Sequence, residues 1–198
     1  MNKSEEFPSE ISLEAESRPK TIIEIGVGNF SAYDISHKLD EEIKNGAEYI
    51  GVDLNKEELE IVKDGGQEAV IGDLSKLPFK DNSADEIWLN NVFGSGPRLI
   101  SWRNSKGGWT YDLGAGKYFK ELARVTKPGG EVIIGEYIYP VNDVDKIVDW
   151  DYEKFGFDKE VFGGEKLKVF LEKHKISSNL AKYGNAKHPF FLVLKRRK

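Results

Sequence analysis

The chain has 198 residues, 39% hydrophobic and 32% charged, with a formal net charge of -5; that supplies one domain's core and argues against affinity built mainly on phosphate neutralisation. It contains no cysteine and three scattered histidines, His37, His174 and His188, so disulfides, cysteine nucleophiles and thiolate or histidine-cluster metal sites are excluded from the expectation. No apolar run approaches the roughly 18 residues of a membrane span, and the first 18 residues lack a signal-peptide pattern, which makes a cytoplasmic location without membrane association the expectation. Residues 1–19 are polar and acidic, with Pro8 and Pro19 bracketing a weakly periodic stretch, and read as a loose arm or a short docking helix without chemistry; 20–198 read as one domain. From Thr21 short apolar runs alternate with amphipathic stretches, the pattern of strands joined by crossover helices in a parallel sheet.

The first strand is Thr21 to Ile25, followed by Gly26-Val27-Gly28 and a helix expected from near Ser31, with Ile35, Leu39 and Ile43 on one face. Asn45-Gly46 stops it. Tyr49 to Val52 forms the second strand and ends on Asp53; the next helix opens with Asn55 and Glu58 spaced as a capping box and closes at Gly65-Gly66. Ala69 to Gly72 ends on Asp73, and Glu86 to Leu89 ends on Asn90. Beyond an irregular stretch over 94–116, a helix carrying Tyr118, Leu122 and Val125 stops at Lys127-Pro128-Gly129-Gly130, and Val132 to Ile134 makes a fifth strand. The remainder reads as a helix from Val144 to Lys154, strand material around Val161, a helix from Lys166 to Lys173 and a last strand from Phe190 to Leu194. The basic tail Lys195 to Lys198 reads as a solvated end.

In an open parallel sheet, ligands bind beyond the carboxyl ends of the strands. Gly26 and Gly28 there permit a sharp turn and a close backbone approach, although glycines after a strand are often turn punctuation alone. Asp53 can accept both hydroxyl protons of a ribose; its alternative is a helix cap, which Asn55 fits better. Asp73 can accept a proton from an amine such as that of adenine, or serve as a turn residue.

These residues resemble the class I S-adenosylmethionine-dependent methyltransferases. The family's acidic-x-Gly-x-Gly motif is matched by Glu24-Ile25-Gly26-Val27-Gly28, and Asp53-Leu54 is similar to its ribose-binding acid. Gly72-Asp73-Leu74 with Leu77-Pro78-Phe79 resembles the adenine-side motif, and Asp85-Glu86-Ile87 leading to Asn90 the fourth strand. Phe119 to Val125 followed by Lys127-Pro128-Gly129-Gly130 looks like the helix and turn before the fifth strand. Five motifs in order across roughly residues 20–137 are jointly specific.

The resemblance implies a Rossmann-like three-layer α/β/α sandwich, mostly parallel with an antiparallel C-terminal strand, binding S-adenosyl-L-methionine. It implies that Glu24 orients the first loop or meets the methionine amine, and that Gly26, Val27 and Gly28 give backbone contact. Asp53 then holds the ribose, Leu54 and Leu74 border the adenine, Asp73 faces its amine, and Asn90 lies near the methionine end. Two departures stand out: Phe30 occupies the place of a third glycine, and Asn90-Asn91-Val92-Phe93 lacks the Asn/Asp-Pro-Pro-aromatic signature of adenine or glutamine methylation.

Methyl transfer needs an acceptor held in line and water kept out more than it needs a base, so no catalytic base is assigned. The acceptor is expected to be a small molecule, with RNA and protein acceptors left open. Segments 94–116, with Trp102, Trp109 and Tyr111 among six glycines, and 155–187 are candidate covers for it. An aminopropyltransferase and a nicotinamide dehydrogenase fit the motifs less well. A non-catalytic cofactor-binding subunit is the alternative of a different class.

Overall fold

A computed structural model describes residues 18–27, 33–90, 92, 101–103, 109–111, 115–138, 151–178 and 187–198. Seven strands form one sheet: β1 (Thr21–Ile25), β3 (Glu48–Asp53), β4 (Glu68–Ile71), β5 (Ala84–Asn90), β8 (Thr126–Ile138), β9 (Phe157–Gly163) and β11 (Lys187–Arg196). Short pairs are made by β2 (Tyr33–Asp34) with β10 (Ser177–Ser178) and by β6 (Ser101–Arg103) with β7 (Trp109–Tyr111). The helices are α1 (Ser36–Lys44), α2 (Lys56–Asp64), α3 (Ala115–Val125) and α4 (Gly164–Lys173). The order across the sheet is β4-β3-β1-β5-β8-β11-β9. β4 to β8 run parallel, and β11 is antiparallel to both β8 and β9. This is the mixed sheet with an antiparallel C-terminal strand that the resemblance implies.

Alternation along the strands makes the three layers. Ile23 and Ile25 share one face with Val52, Ile87, Leu89, Val132 and Ile134, where Phe119, Leu122 and Val125 of α3 cover them. Ile22, Trp88, Ile133 and Phe191 occupy the opposite face under Ile35 and Leu39 and under Leu167 and Phe170 of α4. Each of these side chains is nearly or fully removed from water, and truncating one such leucine or isoleucine to alanine costs about 2–5 kcal/mol.

Four local readings change. α1 starts at Ser36 rather than near Ser31, because Tyr33 and Asp34 are extended and paired with Ser178 and Ser177. The cap of α2 is shared differently from a capping box: Asn55 Oδ1 accepts from Glu57 N at 3.0 Å, but Asn55 N donates to Asp53 Oδ1 at 2.8 Å rather than to Glu58. Lys127 to Gly130 does not separate helix from strand, since β8 already begins at Thr126, and a register shift against Ala84 and Glu86 takes up the irregularity. Gly129 has φ +83°, and a β-carbon on Gly130 would stand 2.8 Å from the Asp85 carbonyl. The basic tail is exposed at Lys195, Arg197 and Lys198, as a solvated end should be, but it is not loose: Lys195 lies 3.8 Å from Glu131, Arg196 Nη1 donates to Phe155 O at 3.1 Å, and Arg197 pairs with Asp158 at 2.7 Å and Glu153 at 3.2 Å.

The expected strand near Val161 is β9, and the expected helix from Lys166 is α4. The helix expected over Val144–Lys154 falls mainly outside the described residues, whose part of it holds a single 3-10 turn, Glu153–Phe155. The arm over 1–17 also lies outside them. No helix among the described residues is long and apolar enough to cross a membrane, and no acidic or histidine group suited to a metal occurs among them.

Candidate functional site

Strand register brings three of the sequence-derived residues, Gly26, Asp53 and Asn90, to one level. Val70, Val52, Ile25 and Leu89 form a row across β4, β3, β1 and β5. The next positions are therefore Ile71, Asp53, Gly26 and Asn90, with Asp53 opposite Ile71 and Asn90 opposite Gly135. At the usual spacing between strands, the row from β4 to β5 spans about 14 Å. An elongated ligand can lie across it, meeting apolar Ile71, the Asp53 carboxylate, the Gly26 backbone and Asn90 in turn.

Gly26 leaves β1 with φ +79°, a region that strains any other residue, and its amide donates to Val52 O at 2.8 Å. A β-carbon there would meet Val92 Cγ2 at 2.8 Å, so the first turn passes close to the chain leaving β5. Val27 packs inward: its Cγ1 and Val62 of α2 fill the space above Gly51. Gly28 lies outside the described residues.

Glu24 is buried on the face opposite α3, and among the described residues no cation pairs with it. Burial pushes its carboxyl up to about 7, against a lowering by the Tyr49 hydroxyl, which donates to Oε2 at 2.7 Å. Burial also raises the Tyr49 phenol, followed by the neighbouring carboxylate. A carboxyl poised this way changes its charge readily when a cation arrives.

Asp53 is half-buried at the end of β3, where Oδ1 takes the Asn55 amide. Beside it Leu54 is 69% exposed, an apolar surface next to a carboxylate. Asp73 is exposed in the turn after β4. It is held below the ordinary carboxylate range by the amide and then the hydroxyl of Ser75, with a smaller pull from Lys117. Leu74 is turned away from that surface: it is 5% exposed and belongs to the core beneath the sheet. Asn90 is buried at the end of β5.

In the backbone register of β6 and β7, Trp102 is paired with Thr110 and Trp109 with Arg103. Of the histidines, His174 caps α4 with its ring 4.5 Å from that of Phe170, and burial lowers its pKa; the side chains of His37 and His188 are outside the description.

Sequence reading missed Tyr49 and the side chains that hold the turn after β4. Tyr49 could have been found from alternation, which puts Tyr49, Gly51 and Asp53 on one face of β3, across from Glu24 on β1. Glu121 and Arg124 gave no such signal, because their role depends on where α3 packs. Leu77 N donates to Glu121 Oε1 at 2.7 Å, and Arg124 donates to the carbonyls of Phe79 and Leu77 at 2.8 and 3.2 Å.

Residues 23–99 match a family profile described as a methyltransferase domain. A demethylmenaquinone methyltransferase from Corynebacterium glutamicum (strain R) is 37% identical over 98 residues, 50% of this chain and 36% of that protein. The chain thus matches about a third of the length of such curated relatives. Phosphoethanolamine N-methyltransferase 2 of Haemonchus contortus superposes in two complexes, one with S-adenosyl-L-methionine (TM-score 0.55, 17% identity) and one with phosphomonomethylethanolamine and S-adenosylhomocysteine (TM-score 0.56, 18% identity). Each comparison covers 91% of this chain and 49% of the other. An S-adenosylmethionine-dependent methyltransferase from Mesorhizobium loti gives a TM-score of 0.57 at 14% identity, covering 90% of this chain and 91% of that one. At such identities the superpositions establish the fold alone.

Proposed function

The chain carries a class I S-adenosylmethionine-dependent methyltransferase domain, and from that premise we propose that it binds S-adenosyl-L-methionine across the row of strand ends and transfers its methyl group to a small-molecule acceptor. The observation that carries this reading is the buried Glu24 carboxyl, held by Tyr49 and without a cation among the described residues, on the strand that leads into the positive-φ Gly26 turn and lies beside Asp53. A cation at one end and a ribose at the other are the groups that such an arrangement fits.

When bound, the cofactor supplies a methyl group already activated on its sulfonium, so the chain's task is to bind, orient and exclude water. Glu24 meets the methionine ammonium, whose charge offsets the burial of the carboxylate. Gly26, Val27 and Gly28 contribute backbone groups close to the ligand, and Asp53 accepts the ribose hydroxyl protons while its Oδ1 keeps the Asn55 amide. The exposed face of Leu54 packs against the adenine, Asp73 faces the exocyclic amine, and Asn90 stands towards the methionine end. Leu74 supports this surface from the core rather than forming it.

A small-molecule acceptor agrees with the formal charge of -5 and with the small molecules named for the similar enzymes from C. glutamicum and H. contortus. Segments 94–116 and 155–187, of which 94–100, 104–108, 112–114 and 179–186 lie outside the described residues, are the proposed covers. The test is incubation with methyl-labelled cofactor and fractionated metabolites, RNA and protein in parallel. Label entering a small-molecule fraction supports the reading. Label entering only RNA or protein overturns the acceptor class, and cofactor binding without transfer to any fraction favours a non-catalytic subunit.

A further inference from the structure

The turn after β4 has little to hold it from its own strand, since β4 is the edge of the sheet and Ile71, its last residue, is 61% exposed. Yet Asp73 lies in a turn anchored on both sides. On one side Gly72 is wedged: a β-carbon there would lie 2.7 Å from Val52 Cγ1 and 3.1 Å from Pro78 Cδ, and its amide donates to Asp53 O at 3.1 Å. On the other side both backbone polar groups of Leu77 are taken by α3, the amide by Glu121 and the carbonyl by Arg124. Lys76 N closes the turn onto Asp73 O at 2.8 Å.

The clamp is two-handed. Arg124 Nε and Nη2 form a fork onto Glu121 at 2.9 and 2.6 Å, while Nη1 reaches Phe79 O at 2.8 Å and Asp81 Oδ1 at 2.7 Å. The planar guanidinium therefore bonds two carbonyls and two carboxylates at once, a set that an ammonium cannot satisfy. Glu121 and Arg124 stand three residues apart on one face of α3, with Lys117 one turn before Glu121.

Building on the cofactor reading above, we infer that Glu121 and Arg124 are positioning residues that fix the Asp73 turn for recognition of the adenine amine. Neither touches the ligand. They set where the Asp73 carboxylate stands relative to the ribose subsite at Asp53, and so they govern the choice of base rather than the hold on the ribose. Each strap bears on Leu77 or beyond, so loosening one displaces the turn while the β3 end stays fixed by its neighbours β1 and β4.

The probes are S-adenosylhomocysteine and S-inosylhomocysteine, which differ in having an amine or a carbonyl at the position facing Asp73. Titration calorimetry on the full chain is expected to give the wild type at least a tenfold preference for the adenosyl compound. Arg124→Lys should lower that preference threefold or more and leave affinity for the inosyl compound within twofold. Glu121→Gln, which keeps an acceptor for Leu77 N, should move it the same way by less, and it serves as the test if Arg124→Lys unfolds on thermal melting. In an Asp73→Ala background, Arg124→Lys should change the preference no further, because the two act through one contact. Equal losses for both ligands, or an unchanged preference, would overturn the positioning role. A wild type that binds neither compound would overturn the cofactor reading as well, and one that binds both without preference would overturn the adenine role of Asp73.

Discussion

Asp53 anchors the cap of α2, and in the proposed reading it also holds the ribose; separating the two roles tests the ribose assignment without confusing it with folding. Its Oδ1 accepts the Asn55 amide at 2.8 Å, while Asn55 caps α2 through Glu57 N at 3.0 Å. Asp53→Ala removes both the ribose acceptor and the anchor of that cap. It should cost stability on the order of 0.5–1.5 kcal/mol, a typical value for one hydrogen bond near a helix start. It should also weaken S-adenosylhomocysteine by about ten- to a hundredfold, because hydrogen bonds to a charged group are worth about 1.5–3 kcal/mol and each 1.4 kcal/mol is tenfold. Asp53→Asn keeps an oxygen for the Asn55 amide but loses the charge and one acceptor. Its urea midpoint should match the wild type, and its affinity should still fall about tenfold. Calorimetry gives the affinities and urea melts the stabilities. An Asp53→Asn protein that binds as tightly as wild type would refute the ribose role, whatever the alanine variant does.

Glu24 predicts an unusual pH dependence. Burial pushes its carboxyl up to about 7 from the ordinary 4.5, so the folded state holds its proton more tightly. The resulting stabilisation is complete below about pH 4.5 and is lost as pH rises through 7, on the order of 3 kcal/mol in all. Urea melts from pH 5 to 8 should therefore show the wild type losing stability with rising pH relative to Glu24→Gln; parallel curves would contradict this. Binding a ligand ammonium should draw the Glu24 pKa down and release a proton near pH 6–7, visible as binding heats that vary with the buffer's ionisation enthalpy. Gly26→Ala, forced into φ +79°, should lose about 1–3 kcal/mol of stability in urea melts and bind the cofactor more weakly. Trp102→Ala and Trp109→Ala, on the hairpin that follows β5, should impair methyl transfer more than cofactor binding once an acceptor is in hand; equal turnover by both variants and the parent would show that this segment is not the cover.

The first four parallel strands were legible because each is a short apolar run that stops at, or within two residues of, Gly26, Asp53, Asp73 and Asn90. What escaped was set by tertiary contacts. Nothing local says that Tyr33 and Asp34 pair with Ser177 and Ser178, far away in the chain, and that pairing delays α1 to Ser36. The motif resemblance gave Leu54 and Leu74 the same role, yet one is 69% exposed and the other 5%, because the turn after β4 rotates Leu74 into the core. The Glu121 and Arg124 pair was visible only as part of a motif, since its partners, the backbone of Leu77 and Phe79, carry no side-chain signature. Likewise the basic tail looks solvated in sequence but finds Glu131, Asp158 and Glu153 once β11 is threaded between β8 and β9.

The central claim is that one ligand lies across the ends of β4, β3, β1 and β5, and a crystal structure of the chain grown with S-adenosylhomocysteine tests it most directly. The account predicts ribose hydroxyls about 2.6–2.9 Å from the Asp53 carboxylate, the ammonium beside Glu24, and the adenine between Leu54 and the Asp73 turn. A nucleoside bound elsewhere, or crystals grown at saturating ligand with this row empty, would contradict it.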